Sequence, residues 1–418
     1  MTARRAATDL LVAVMDRGRA LEDALAETPS FNALEGRDRA FARALVTAGL
    51  RRLGGINTVL SQFLARPLPD DANHARALLH LGAAQLLVLG TPAHAAVGET
   101  VETANHMREA RGFAKLMNAV LRKVARDGQA ILDDLPPGAD LPQWLYTRWR
   151  ASYGEAAPQI AEALLTEPPL DISVKQDASG WAARLIGQLT PTGSVRLTEH
   201  APIDSLPGFN EGAWWVQDAA AAIPAKLLGD VRGKRVLDLC AAPGGKTLQL
   251  AAAGAHVTAV DKSEARLKRL RENLARTKLE AEVICADALE LSAEPFDAIL
   301  LDAPCTSTGT LRRHPDVAWL RRPTDVKALA DLQAQLISAT AKLLKPGAPL
   351  VYAVCSLEPE EGPGVVAAAL RNGWRRAPLS NEVPAEFITA DGDLRTHPGQ
   401  WPEIGGLDGF YAARLLRS

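Results

Sequence analysis

Cysteine is scarce in this chain: four in 418 residues, at Cys240, Cys285, Cys305 and Cys355, and no two stand in a Cys-x-x-Cys pair. That spacing argues against both a structural zinc site and a disulfide framework, and free thiols in a reducing compartment are the expectation. Long hydrophobic runs are missing too. Runs such as Leu10 to Met15 and Leu86 to Leu89 fall far short of the roughly 20 residues a spanning helix needs. An excess of either charge is also absent, with 47 Lys+Arg against 49 Asp+Glu, so nucleic acid would have to be held by local basic patches. No internal repeat or low-complexity tract interrupts the pattern. The first residues place Arg4, Arg5, Asp9 and Asp16 among apolar ones, which reads as an amphipathic helix and not a signal peptide, and a cytoplasmic protein is expected.

What is present suits a multidomain globular protein, since 418 residues with 47% hydrophobic composition exceed one core. Residues 1–135 show apolar residues at helical spacing, as in Leu10-Leu11-Val14, Phe41-Leu45-Ala48 and Leu116-Val120-Val124, with breakers between. Leu135-Pro136-Pro137-Gly138 cannot continue a helix and marks a boundary. Residues 141–211 mix strand-like pieces, Leu170 to Lys175 and Ser194 to Leu197, with a helical one, which suggests a small α+β linker. From 212 to 418 strand, turn and helix alternate. Strands are expected at Arg235–Leu239, His256–Val260, Glu282–Cys285, Phe296–Leu301 and Pro349–Cys355, in a parallel sheet with helices on both faces. Gly409 to Leu416 has no crossover helix before it and reads as an antiparallel edge strand.

A glycine-rich turn, Asp238 to Thr247, follows the first of these strands. Such a turn brings backbone close to a ligand and aims helix N-terminal amides at it. A P-loop needs glycine at position 240, where the chain has Cys240, and Pro243-Gly244-Gly245 does not match the dinucleotide fingerprint. A nucleoside without a pyrophosphate remains. Asp238, Asp261, Asp287 and Asp302 end or follow four successive strands, where carboxylates can accept from ribose hydroxyls and an adenine amino group. A ligand rich in donors and bearing positive charge, such as S-adenosylmethionine, suits that series.

Two thiols complete the candidate site. Cys305 follows its strand in Asp302-Ala303-Pro304-Cys305 and Cys355 ends the next in Tyr352-Ala353-Val354-Cys355-Ser356, and strand C-terminal ends converge on one crevice. Were the acceptor a pyrimidine, a thiolate adding at carbon 6 would make carbon 5 nucleophilic. Such a reaction needs a nucleophile, a donor to ring nitrogen 3 and a proton acceptor, and Cys355, Asp302 and Cys305 are available. A protonated Asp302 would need its pKa raised by burial. Chemistry alone does not say which thiol attacks. Cys240 and Cys285 read as inert.

These residues resemble the Sun/Nol1/Nop2 family of RNA 5-methylcytosine methyltransferases, and within it the RsmB/Fmu type with a NusB-like N-terminal domain. The matching motifs are Asp238 to Thr247, Val260-Asp261, Ala286-Asp287-Ala288, Asp302 to Cys305, Arg312-Arg313-His314-Pro315-Asp316, Cys355-Ser356 and Asp408-Gly409-Phe410. The likeness extends to Trp214 through Ala220 and, more weakly, to Phe113 through Arg122. It implies an all-α NusB-like RNA-binding domain and an α/β Rossmann-like methyltransferase domain dependent on S-adenosylmethionine. Cys240, Ala241, Ala242, Pro243, Gly244, Gly245 and Lys246 would form the cofactor loop, with Asp261 on ribose, Asp287 near adenine and Asp302 between cofactor and base. Cys355 would be the nucleophile and Cys305 would assist adduct breakdown. The implied partner is small-subunit (16S) ribosomal RNA, bound by a monomer without membrane or metal. Val354 departs from the family's usual threonine.

Arg312, Arg313, His314, Arg321 and Arg322 surround Trp319 in a loop after the Pro-Cys turn, where arginines can meet phosphates and an aromatic can stack on a base. The basic run Lys262 to Lys278 reads as a solvated helix face. Two rival readings are a methyltransferase for a small molecule or protein, which needs no pair of thiols, and a noncatalytic RNA-binding assembly factor, which would leave the cofactor site unused.

Overall fold

The structure, a computed structural model, describes residues 2–198 and 202–417. The chain divides into two compact units, one formed by Met1–Thr166 with Leu311–Arg322 and the other by Glu167–Thr310 with Pro323–Ser418.

The first unit is helical, and the apolar stripes seen in the sequence make its core: Leu10, Leu45, Ile56, Leu78 and Leu121 are fully buried. Its extent differs from the expected 1–135. The tandem prolines do follow the end of the helix Ala114–Asp133, but they do not end the unit. The Asp140 carboxylate accepts from Arg52 Nε at 3.0 Å and from the Gly55 N–H at 3.2 Å, tying the chain back onto the helix Leu53–Phe63. Two further helices, Gln143–Tyr153 and Ala156–Ala163, carry the unit to Thr166. Leu311–Arg322 joins it from far along the chain. There Asp316 accepts from the Leu21 N–H at 2.9 Å, the Arg312 carbonyl accepts from Arg51 Nη2 at 2.9 Å, and Leu320 packs on the helical core.

The second unit begins with a small antiparallel sheet of β1 (Leu170–Val174), β2 (Gly187–Leu189), β3 (Val195–Leu197) and β4 (Trp214–Val216), in the order β2-β3-β1-β4. It runs past the expected end at residue 211 because β4 pairs with β1. A buried ion pair braces it, with Arg196 Nε 2.7 Å from Asp171 Oδ1. Breaking such a pair leaves an uncompensated charge and costs about 3–5 kcal/mol. Arg196 Nη1 also donates to the carbonyls of Ile404 and Gly406 at 2.7 Å, which anchors the loop leading to Asp408-Gly409-Phe410.

The main sheet contains β5 (Arg235–Leu239), β6 (His256–Asp261), β7 (Glu282–Cys285), β8 (Ala298–Asp302), β9 (Pro349–Val354), β10 (Trp374–Arg376), β11 (Leu394–Arg395) and β12 (Tyr411–Arg417). Its order is β10-β12-β9-β8-β5-β6-β7, with β11 also paired to β12. The strands β5 to β9 run parallel, as expected. The last strand is antiparallel as expected but lies inside the sheet, between β9 and β10, so the edge position anticipated for it belongs to β10. Alternate residues of the central strands feed opposite faces: Leu237, Ile299, Leu301 and Tyr352 pack on one side, and Val236, Leu300 and Val351 on the other. This period of two, apolar on both faces, is the mark of a strand buried between helical layers. From β5 the chain winds one way to β6 and β7, then returns to β8 and β9 on the other side. The crevice therefore opens between β5 and β8, where such folds bind ligands.

Among the described residues no helix is long and apolar enough to cross a membrane, and no cluster of His, Cys, Asp and Glu is placed to hold a metal ion.

Candidate active site

Each strand that borders the crevice delivers one piece of the site. After β5 the backbone turns at Cys240 (φ 59°) and Gly244 (φ 108°) before the helix Gly245–Ala252 begins. Only glycine holds Gly244's conformation without strain, and a Cβ there would meet Leu270 Cγ at 2.9 Å. The Asp238 side chain points into the interior beneath this turn. Its Oδ2 accepts from the Thr247 hydroxyl at 2.5 Å, while its Oδ1 is buried without a hydrogen-bond partner. Burial pushes its pKa up to about 7, as expected for a carboxyl cut off from water. Burial likewise pushes the Cys240 thiol up to about 12, so that thiol stays protonated.

Asp261 ends β6 and accepts from the Ala242 N–H at 3.2 Å and the Ser263 N–H at 2.9 Å, with Arg266 Nη1 3.3 Å away. Asp287 is exposed in the loop after β7 and accepts from the Leu289 N–H at 2.9 Å. Both carboxylates line a cleft whose other walls include Cys240, Val260, Pro304 and Leu336. Apolar walls suit a purine, and carboxylates at the strand ends suit hydroxyl and amino donors. The residues present thus fit the nucleoside of S-adenosylmethionine.

Asp302 sits across the switch point. Lys246 reaches over from the helix after the turn and donates to Asp302 Oδ2 at 2.7 Å, with its ammonium 5.1 Å from the centre of the Phe410 ring. The ammonium of Lys246 is thus the partner of the Asp302 side chain in the structure. Burial pulls the Lys246 pKa down, but Asp302 and the more distant Cys355 and Asp238 outweigh it and the net shift is upward. Lys246 stays cationic.

The two thiols meet beyond this pair. Cys305 Sγ and Cys355 Sγ lie 3.5 Å apart, in hydrogen-bond contact and not joined by a disulfide, although 50 residues separate them in sequence. Register explains the meeting: Asp302 of β8 stands opposite Ala353 of β9, the Ala303 N–H donates to the Ala353 carbonyl at 2.9 Å, and the Gly309 N–H donates to the Cys355 carbonyl at 3.0 Å. Cys305 is buried and Cys355 is partly exposed. A hydrogen bond from Cys305 holds the Cys355 thiol below its usual range, against the effect of burial. The same bond, with burial and the Cys355 charge, pushes Cys305 well above it. The two thiols are thus unequal, with ionisation favoured at Cys355 over Cys305. Cys285 lies exposed at the far strand, apart from this pair.

Ser307 was not singled out by sequence reasoning. It adopts a left-handed conformation (φ 59°), uncommon for a residue with a side chain, and its hydroxyl lies 3.6 Å from Cys355 Sγ and 3.9 Å from Cys305 Sγ. Glu361 was also missed. Of the expected RNA-contacting residues, all four belong to the helical unit. Arg312 is only 1% exposed, so its guanidinium is not offered to solvent. His314 is exposed, and Arg313 and Trp319 are partly so.

A mixed sheet with a parallel core, whose switch point sets a nucleoside cleft beside a lysine–aspartate pair and two thiols, defines the class as a Rossmann-like methyltransferase. Residues 225–416 match the family model "16S rRNA methyltransferase RsmB/F" and residues 1–126 match the "NusB family" model. Ribosomal RNA small subunit methyltransferase B of Vibrio vulnificus (strain YJ016) is 38% identical over 442 residues, covering 100% of both chains. A solved methyltransferase homolog from Pyrococcus horikoshii is 30% identical with a TM-score of 0.56, covering 71% of this chain and 98% of that one. The solved protein PH0851 shares the fold over 99% of each chain, with 22% identity and a TM-score of 0.78. The chain belongs to the RsmB/F family of 16S ribosomal RNA methyltransferases.

Proposed function

We propose that the chain methylates carbon 5 of a cytosine in small-subunit ribosomal RNA, with Cys355 as the nucleophile and Cys305 as the proton-handling thiol. The observation that carries this reading is the unequal thiol pair: the more exposed Cys355 is the one whose ionisation is favoured. Relatives named as small-subunit ribosomal RNA methyltransferases support the substrate.

The Cys240–Lys246 turn, Asp261 and Asp287 would hold S-adenosylmethionine, which would supply an electrophilic methyl group: as carbon 5 bonds to the methyl carbon, the sulfonium sulfur would keep the electron pair of the broken bond and leave as the neutral thioether. Cys355 Sγ forms a bond to carbon 6 of the base and pushes the ring's electron pair toward carbon 5. Negative charge then grows on the pyrimidine, and the Lys246 ammonium, oriented by Asp302 and Phe410, lies beside it as a fixed counter-charge. Once Cys355 is bonded to carbon, its charge no longer acts on Cys305, which ionises more readily. The Cys305 thiolate takes the carbon-5 proton after methylation, the electron pair restores the carbon 5–carbon 6 bond, and the bond to Cys355 Sγ breaks. Protons exchange with water through the partly exposed Ser307 hydroxyl. His314, Arg313 and Trp319 are the candidates for meeting phosphates and an unstacked base. A monomer working in the cytoplasm completes the reading.

Methylation of unmodified 16S RNA with labelled S-adenosylmethionine tests it, with the products digested and the modified base identified. Wild type should yield 5-methylcytosine, Cys355→Ala none, and Cys305→Ala a protein–RNA adduct that survives denaturing electrophoresis. Methylation of carbon 5 by Cys355→Ala would transfer the nucleophile's role to Cys305.

A further inference from the structure

A carboxylate unused by the chemistry above lies beneath the thiols. Glu361 is fully buried, in the helical turn Glu360–Gly364 that follows Cys355-Ser356. Its Oε1 accepts from the Thr306 N–H at 2.8 Å and from Gln333 Nε2 at 3.1 Å. Its Oε2 accepts from the Ser356 hydroxyl at 2.5 Å and from the Thr306 hydroxyl. Thr306 directly follows Cys305, and Ser356 directly follows Cys355. One side chain therefore grips the neighbour of each thiol.

The surroundings make that grip rigid. Gln333 also donates to the Pro304 carbonyl at 2.9 Å, just before Cys305, and the Tyr352 hydroxyl donates to Gln333 Oε1 at 2.9 Å and to the Glu361 carbonyl. Burying a carboxylate is unfavourable unless several donors converge on it, and here the donors come from three separate segments. An apolar residue would hold the loops together without that cost, so what the carboxylate adds is directed bonding and charge.

We propose that Glu361 is a positioning residue for the methyl transfer: it sets the Cys305 and Cys355 turns in register and places a negative charge under Cys305, so that Cys355 is the thiol that attacks. The inference rests on the nucleophile assignment proposed above. After the bond to Cys355, burial and the Cys355 charge, the Glu361 charge is the next influence holding Cys305 protonated. The other charged groups around the pair are Lys246 and Asp302 at Cys355, Glu358, whose Oε1 lies 3.5 Å from the Thr308 hydroxyl, and Arg395, which donates to the Ser356 carbonyl at 2.6 Å.

Glu361→Gln in the full chain tests this, since it preserves size and removes charge. Two readouts apply: the rates at which iodoacetamide alkylates each cysteine across pH 6 to 9, resolved by mass spectrometry, and single-turnover methylation of 16S RNA. Wild type should be alkylated at Cys355 at least ~10-fold faster than at Cys305. In Glu361→Gln that preference should shrink by ~10-fold as Cys305 ionises at lower pH, and turnover should fall ~10- to 100-fold, with the KM for S-adenosylmethionine unchanged. Glu361→Asp, which keeps the charge but shortens the reach, should retain the preference while losing rate. An unchanged preference in Glu361→Gln overturns the proposal. Should that variant not fold, Thr306→Val removes one hydroxyl bond to Glu361 and is read by the same criterion. If wild type shows the thiol preference and its dependence on Glu361 but leaves cytosine unmethylated, the proposed function fails and the role of Glu361 in the pair stands.

Discussion

Gly309 and Gly409 meet backbone to backbone, with the Gly409 N–H donating to the Gly309 carbonyl at 2.8 Å. A Cβ on Gly309 would lie 2.0 Å from the Gly409 carbonyl oxygen, closer than any side chain can stand. This contact joins the loop after Cys305 to the Asp408-Gly409-Phe410 segment, and Gly309 also donates to the Cys355 carbonyl. Gly309→Ala must push these backbones apart. We expect it to destabilise the chain by about 1–3 kcal/mol, in the range of overpacked sites, and to cut single-turnover methylation ~100-fold through the displaced thiols. Thermal unfolding and turnover measured on the same preparation check both.

Lys246 and Asp302 should act on Cys355 with opposite signs. The Lys246 charge lowers the thiol's pKa and the Asp302 charge raises it. Lys246→Met should therefore move the pH midpoint of Cys355 alkylation upward, and Asp302→Asn should move it downward. Both variants should nevertheless lose methylation by ~10-fold or more, because each removes a charge placed where the base reacts. A faster-alkylating thiol in a slower enzyme is the outcome that separates charge from structural damage. Equal shifts in one direction would contradict the arrangement.

Much of this site is legible in the chain because it is built at strand ends. The strands β5, β6, β8 and β9 are apolar runs closed by Asp or Cys, and parallel pairing brings their ends to one crevice. Placement of β12 inside the sheet is not legible, since an antiparallel strand without a crossover helix has no local mark of its neighbours. Nor is the tie from Asp140 back to Arg52 and Gly55, which makes a proline-rich stretch part of a unit instead of its boundary. Arg312 shows the same gap: a basic run reads as a surface until tertiary packing buries one member. Ser307 and Glu361 stayed hidden because their meaning lies in contacts among residues 305, 306, 333, 355 and 356, and no local pattern carries contacts of that range.

Asp238 should weaken the fold as pH rises. Its pKa is about 7 in the folded chain and near 4 when unfolded, so the unfolded chain loses its proton first. The group favours folding fully below about pH 4, and that contribution is lost as pH rises through about 7. Asp238→Asn removes the titration and can still accept from Thr247. Its stability relative to wild type should be several kcal/mol more favourable at pH 8 than at pH 4. Urea unfolding at both values checks the difference, and equal shifts at both would show that the carboxyl is not held neutral.

His80 should do the reverse in the helical unit. It is fully buried, with Nε2 3.0 Å from the Gly49 carbonyl oxygen and Nδ1 3.1 Å from Asn57 Oδ1, and burial pulls its pKa down to about 4. The unfolded chain binds the proton near pH 6.5, so between 6.5 and 4 the unfolded state holds more protons and stability falls with acidity. The neutral ring's contribution is complete above pH 6.5 and is lost as pH drops through about 4, with a span on the order of 3 kcal/mol. His80→Gln carries no charge at any pH and should flatten this slope while costing stability at pH 7 through lost packing. Comparing urea midpoints of the two chains from pH 4 to 7 isolates the residue from every other titrating group. Parallel slopes would mean that another group drives the acid lability.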